Sequence, residues 1–273
     1  MKSLILPRDT TPGSAGGELR IAYEQCGSGP PVVFVHGIGG NKGNWAPQMD
    51  GALSGFSTVA LDLRGYGASA LPDAPLKLTD FVEDVLSVMD HLHIRAAHLV
   101  GLSMGGLVVQ ALYAAYPERV ASLTLAACRG GHSPVANGEG FAKDRLGPLE
   151  GRNSTEELAN TLLPKLVGPD VNPDIFKVLR RSLRDLHLGS YRQTVEMRVA
   201  LKAFLDLGRV AVPALVMAGT HDSLAPVAQM TEIAQLIPGA TLKVFERCGH
   251  FLNIEKPADF NQALQSFLAA HSG

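Results

Sequence analysis

Short β-branched runs alternate with longer amphipathic segments along this chain, and that alternation predicts an α/β fold with a mostly parallel sheet and helices on both faces. Two further observations shape the expectation. The apolar runs, such as Val32-Val33-Phe34-Val35, are continuous instead of alternating, as strands covered on both faces require. The stretch from Gly130 to Gly208 carries helical patterns and no strand-like run. A parallel crossover needs only about a dozen residues, so the excess reads as a helical cap standing over the strand ends. The expected organisation is an α/β core of residues 1–129 and 209–273, interrupted by a cap of residues 130–208.

Taken in order, the strands expected are Leu19–Glu24, Val32–Val35, Thr58–Leu61, His98–Val100, Ser122–Ala127, Ala214–Ala218 and Thr241–Phe245, with a turn at Gly27–Pro31. The last six are read as runs buried on both faces. Leu78–Leu92 reads as a helix because Leu78, Phe81, Val82, Val85, Leu86 and Met89 fall on one face. Thr79 or Asp80 would cap its start, and Glu83 and Asp84 suit its positive end. Met104–Tyr116, Val227–Leu236 and Ala258–Ala270 complete the core helices. Within the cap, Ser154–Leu163, Asp174–Leu186 and Tyr191–Leu207 are expected to be helical, divided by Gly147-Pro148, Pro164, Gly168-Pro169 and Pro173.

Hydrophobic residues make up 46% of the 273 and charged residues 18%, which excludes a disordered chain and leaves enough apolar mass for a large core. Lys and Arg number 24 against 26 Asp and Glu, so no basic excess points to nucleic acid. Cys26, Cys128 and Cys248 form no CxxC pair and read as small buried residues in a reducing compartment. The N-terminal stretch offers only the apolar triplet Leu4-Ile5-Leu6, too short for a secretory leader. No run approaches the roughly 20 apolar residues of a membrane span. A cytoplasmic protein without a membrane partner is expected; the sequence leaves its oligomeric state open.

The chemistry centres on Gly101-Leu102-Ser103-Met104-Gly105-Gly106, a G-x-S-x-G between an expected strand and an expected helix. Such a junction thrusts the serine hydroxyl out above the sheet, and the helix behind it aims unpaired N–H groups at the same place. A serine needs a base. His250 follows the strand Thr241–Phe245, at the sheet edge where the serine lies. Asp222, following the strand Ala214–Ala218, would hold the imidazole in its tautomer. His221 is the rival base, but adjacent side chains point apart. The Gly-rich run His36-Gly37-Ile38-Gly39-Gly40 would bring the Ile38 N–H, with that of Met104, to a developing oxyanion, with His36 bracing the loop. Trp45, near that loop, and Arg129, past the strand Ser122–Ala127, are candidate substrate contacts; Arg129 could pair with a carboxylate. No H-E-x-x-H pattern is present, and Gly37-Ile38-Gly39 lacks the further glycine and acid of a dinucleotide site, so neither metal nor cofactor is expected.

With these residues placed, the chain resembles the α/β-hydrolase fold family over nearly its whole length. Asp62-Leu63-Arg64-Gly65-Tyr66-Gly67-Ala68-Ser69 is similar to that family's D-x-R-G-x-G-x-S turn. Trp45-Ala46-Pro47-Gln48, Gly101–Leu107 and Gly219-Thr220-His221-Asp222 resemble stretches of 3-oxoadipate enol-lactonases. The resemblance implies an eight-stranded sheet and a cofactor-free serine hydrolase. It would act through an acyl-enzyme on a small ester or enol-lactone, in aromatic breakdown. Carbon–carbon bond hydrolases of ring-cleavage products share the triad and would take a vinylogous diketone. A perhydrolase or cofactor-free haloperoxidase, or a non-catalytic receptor, is a further alternative on the same fold. Serine in place of aspartate at position 103 speaks against dehalogenase and epoxide hydrolase chemistry, which needs a carboxylate nucleophile.

Overall fold

The structure is a computed structural model and describes residues 2–7, 18–49, 51–133, 138–150 and 154–272. Eight strands form one sheet: β1 (Lys2–Pro7), β2 (Glu18–Gly27), β3 (Pro31–Val35), β4 (Ser57–Leu61), β5 (Ala97–Leu102), β6 (Val120–Ala126), β7 (Ala214–Gly219) and β8 (Thr241–Phe245). Their order is β1-β2-β4-β3-β5-β6-β7-β8. β2 runs antiparallel to both β1 and β4, and the other pairings are parallel. The continuous apolar runs occupy the middle of the sheet, where β5 and β7 are buried at every residue.

Register decides where the chemistry falls. Val35 pairs with Leu61 and Gly101, Leu102 with Ala126, Ala126 with Met217, and Gly219 with Phe245. The carboxyl ends of six parallel strands therefore lie along one edge, and the loops that follow them rise from it side by side. Helices α1 (Ala46–Met49), α2 (Leu78–His91) and α3 (Met104–Ala115) precede β6; α8 (Val227–Leu236), α9 (Leu252–Glu255) and α10 (Pro257–Ala270) follow β7. Within the stretch expected to be the cap lie α4 (Gly138–Leu146), α5 (Thr155–Leu166), α6 (Pro173–Arg184) and α7 (Leu188–Ala200).

Several elements depart from expectation for identifiable reasons. The triplet Leu4-Ile5-Leu6 lies in an edge strand, β1, held only by β2. β8 is the opposite edge, so Thr241 and Lys243 are exposed and the strand is not buried on both faces. α2 starts after Lys77, whose N–H donates to the Asp80 carboxylate, so Asp80 caps from the first turn instead of from the cap position. α5 continues through Pro164 to Leu166, because Leu162, Leu163 and Leu166 are all buried and that burial offsets the hydrogen bond the proline removes. α7 stops at Ala200 instead of Leu207: Leu201 is extended, and the N–H groups of Phe204 and Leu205 donate to Gly131 O, drawing the chain back to the point where the cap began. α4 is an added helix of low amphipathicity, which is why periodicity missed it. Of the three thiols, Cys26 is exposed and only Cys128 and Cys248 are buried.

Candidate active site

Ser103 stands between β5 and α3 with φ 56° and ψ −115°, a conformation an L-residue adopts only under constraint. Its own N–H completes the sheet by donating to Ala126 O at 2.9 Å. The flanking glycines are required by close approach. A Cβ on Gly105 would lie 2.0 Å from Val35 O, and one on Gly101 would lie 2.3 Å from Gly105 O. The strain at Ser103 is thus held in place by backbone packed on both sides.

The loop after β7 supplies Asp222 and the loop after β8 supplies His250, both buried, at 5% exposure each. His250 Nδ1 donates to Asp222 Oδ2 at 2.7 Å, which leaves Nε2 as the ring's proton acceptor. Asp222 Oδ1 accepts from the N–H groups of Leu224 and Ala225 at 2.8 and 3.2 Å. Burial alone would raise the Asp222 carboxyl, but the His250 charge and hydrogen bond, with those two N–H groups, outweigh it and hold the acid below its ordinary value. His221 is exposed, and its ring meets Thr220 instead of the serine loop.

Ile38 and Met104 line the same cavity as Ser103 and His250. Among the described residues neither of their backbone N–H groups has a protein acceptor. His36 lies behind them: its Nδ1 donates to Gly37 O at 2.9 Å and its Nε2 accepts from Leu63 N at 3.1 Å. A ring nitrogen that accepts a hydrogen bond carries no proton, burial lowers the pKa in the same direction, and the ring ties the loop after β3 to the loop after β4. Asp62 does similar work by accepting from the N–H groups of Lys42 and Ala68 at 2.6 and 2.8 Å.

The cavity holds about 680 Å³ of empty space, part of it open to solvent. Its polar wall is cationic, formed by Arg129, Arg145 and Arg198. Arg129 follows β6, and the Gln110 amide fixes the backbone around it by donating to Arg129 O at 2.9 Å and accepting from Gly131 N at 2.7 Å. Arg198, on α7, is only 4% exposed, and its Nη1 and Nη2 have no hydrogen-bond partner among the described residues. Burial, together with the charge of Arg129, lowers its pKa to about 10. No carboxylate pairs with any of the three arginines among the described residues; Arg145 lies over the Phe141 ring at 5.6 Å. Arg129 was a candidate from the sequence because it lies just past a strand; Arg145 and Arg198 were not. A signal for Arg198 was available: Ser190, Thr194 and Arg198 fall at i, i+4 and i+8 on the buried stripe of α7, so the arginine points inward. Trp45 is fully buried between Phe34 and Phe260, at ring distances of 4.8 and 6.3 Å. It borders a smaller cavity beside Ser103 and does not line the one that holds the arginines.

The sheet order and the convergence of these loops define a class of protein, and comparison with known proteins identifies it. The family model for the alpha/beta hydrolase fold matches residues 30–257. The chain belongs to that family. It is 28% identical to a 3-oxoadipate enol-lactonase from Acinetobacter baylyi, over 88% of each chain. It is 31% identical to a 2-hydroxy-6-oxononadienedioate/2-hydroxy-6-oxononatrienedioate hydrolase from Paraburkholderia phymatum, covering 93% of this chain and 92% of that one. Among solved structures, a thermophilic esterase from Thermogutta terrifontis, determined with malate bound, superposes with a TM-score of 0.89 at 25% identity and covers 100% of both chains.

Proposed function

We propose that this protein is a serine hydrolase that cleaves a small ester or enol-lactone bearing a free carboxylate. Ser103 attacks the carbonyl, His250 Nε2 takes its proton, and Asp222 steadies the imidazolium. The N–H groups of Ile38 and Met104 receive the oxyanion, and their lack of acceptors among the described residues supports that role. His250 then activates water to release the acid from the acyl-enzyme.

The observation that carries the substrate class is the guanidinium of Arg198, buried in the cavity wall beside Arg129, with no hydrogen-bond partner for its Nη1 and Nη2 among the described residues. A buried cation without an anion is costly, and a substrate carboxylate is the group that would relieve it, through paired N–H···O bonds. The relatives agree with this chemistry. One is named for 3-oxoadipate and another for a nonadienedioate, both dicarboxylic, and the esterase structure carries malate.

The test is a matched panel: p-nitrophenyl acetate, the mono-p-nitrophenyl ester of a short dicarboxylic acid, a carboxylate-bearing enol-lactone, a vinylogous diketone acid, and the methyl ester of each acid. Acidic esters or lactones are expected to have a KM about 10–100-fold below that of their methylated forms. Ser103→Ala should lower kcat by at least about 10⁴-fold with its circular dichroism spectrum unchanged. Equal KM values for acidic and methylated forms would remove the substrate class. Faster turnover of the diketone would move the reading to carbon–carbon bond hydrolysis. Wild-type rates from Ser103→Ala would remove the mechanism.

A further inference from the structure

Beyond the triad, the loop carrying His250 is held by a carboxylate whose hydrogen bonds go to the main chain and not to the imidazole. Glu255 closes the one-turn helix α9, and both of its oxygens are engaged by main-chain donors. Oε2 accepts from Gly168 N at 2.7 Å and from Gly249 N at 3.0 Å; Oε1 accepts from Phe251 N at 3.0 Å. Two of the three donors are therefore the residues on either side of His250. The third belongs to the cap, just past the end of α5. His250 contributes its own N–H to the same seam, donating to Leu166 O at 2.7 Å.

The seam has no room for adjustment. A Cβ on Gly249 would lie 2.4 Å from Leu166 O and 2.6 Å from Gly168 N. A Cβ on Gly168 would lie 2.6 Å from Arg247 O. Three charge-assisted bonds to one carboxylate at such close approach fix the height of the base loop relative to the cap turn. Along the outer edge, Arg247 Nε and Nη2 pair with Asp170 at 2.6 and 2.7 Å, but that pair is exposed and contributes little.

We propose that Glu255 is a positioning residue for the base: it clamps the cap turn Leu166–Gly168 to the residues flanking His250, and so sets the imidazole against Ser103. The cap end of α5 and the base then move as one body. The proposal rests on the serine-hydrolase reading only through His250 as base, and is independent of the substrate class. A displacement of about 1 Å in a catalytic group costs on the order of 10²-fold in rate, so a positioning role appears in kcat and in nucleophile reactivity. A staple that merely keeps the chain folded would change the amount of active protein and leave each active site at its normal rate.

The experiment compares wild type, Glu255→Ala and Glu255→Gln for two quantities: the second-order rate of Ser103 labelling by a fluorophosphonate, and kcat and KM for p-nitrophenyl acetate per labelled site. Glu255→Ala loses all three bonds. Its labelling rate and kcat are expected to fall about 10–100-fold, with KM within about threefold. Glu255→Gln keeps one acceptor oxygen but presents an NH₂ group to a main-chain donor, so it should fall between the two, about 3–10-fold below wild type. Wild-type labelling and kcat per site in Glu255→Ala would overturn the proposal. Should that variant be insoluble, undiminished labelling of Glu255→Gln would overturn it instead. A wild-type protein that does not react with the fluorophosphonate at all would overturn the serine-hydrolase reading, and the positioning role with it.

Discussion

At the scale of single residues, the proposed role of Arg198 sets function against stability. Among the described residues its Nη1 and Nη2 have no hydrogen-bond partner, and burial together with the charge of Arg129 lowers its pKa to about 10. Replacing a buried unpaired ion with an apolar side chain of similar volume relieves that penalty. Arg198→Met should therefore raise stability by about 1–3 kcal/mol in urea unfolding, while raising KM for a carboxylate-bearing ester at least about tenfold. Its kcat/KM for p-nitrophenyl acetate should stay within about threefold of wild type. A variant that loses stability, or loses both activities equally, would assign Arg198 to the scaffold. How far sequence reaches also differs residue by residue. That Ser103, Asp222 and His250 lie near one another was legible because each sits in the turn or loop that follows a parallel strand, and the strand ends of a parallel sheet share one edge. The direction of Trp45 was not, because it closes the 3₁₀ turn Lys42–Trp45, and that turn, not strand position, sends the ring into the core.

At the scale of elements, the turn after β4 is tied to α2 by a buried ion pair. Arg64 N and Nε donate to Asp84 Oδ2 and Oδ1, each at 2.8 Å, and the Asp84 side chain is fully buried. By its charge Asp84 suits the positive end of the helix; in the structure it lies on the buried face, where Arg64 reaches it. A period of 3.6 assigns faces, but it does not name the partner that a distant turn delivers. Burial pushes the Asp84 carboxyl up to about 6 although Arg64 pulls the other way. A folded pKa above the unfolded one means the folded state holds the proton more tightly. The group's contribution to stability is thus fully present below the unfolded value of about 3.9 and is lost as pH rises through about 6. Relative to Asp84→Asn, wild type should lose about 2–3 kcal/mol of unfolding free energy between pH 4 and pH 7. Urea titrations of both proteins across that range would show it, and a pH-independent difference would count against it. The same limit of local pattern explains the cap helices. α5 runs through Pro164 and α7 stops early because burial in one case, and the return to Gly131 in the other, are decided by distant contacts.

At the scale of the whole molecule, the question is whether residues 130–208 are a lid with a core of their own or part of one cooperative unit. Cap residues do cluster: Leu149, Leu158, Leu162, Leu166, Tyr191 and Val195 pack together, as do Ala159, Leu163, Leu179 and Leu183. Both clusters are completed from below, by Ile38, Leu224 and Phe251 for the first and by Ile254 and Phe251 for the second. Polar contacts repeat the pattern. Ser182 on α6 accepts from Asn41 at 2.6 Å, Thr194 on α7 accepts from Tyr66 at 2.9 Å, and the end of α5 is bound through Glu255. The loops that finish the cap's apolar clusters are thus the loops that carry Ile38, Asp222 and His250. We therefore propose that cap and core unfold together. Trp45 makes the test direct, because it is the single tryptophan and lies fully buried in the core, whereas far-ultraviolet circular dichroism also reports α4 to α7. In urea, the fluorescence and dichroism transitions should share one midpoint and one slope. Dichroism lost at lower urea than fluorescence would mean the cap melts as a separate unit, and His250 would then have to be held by the core alone.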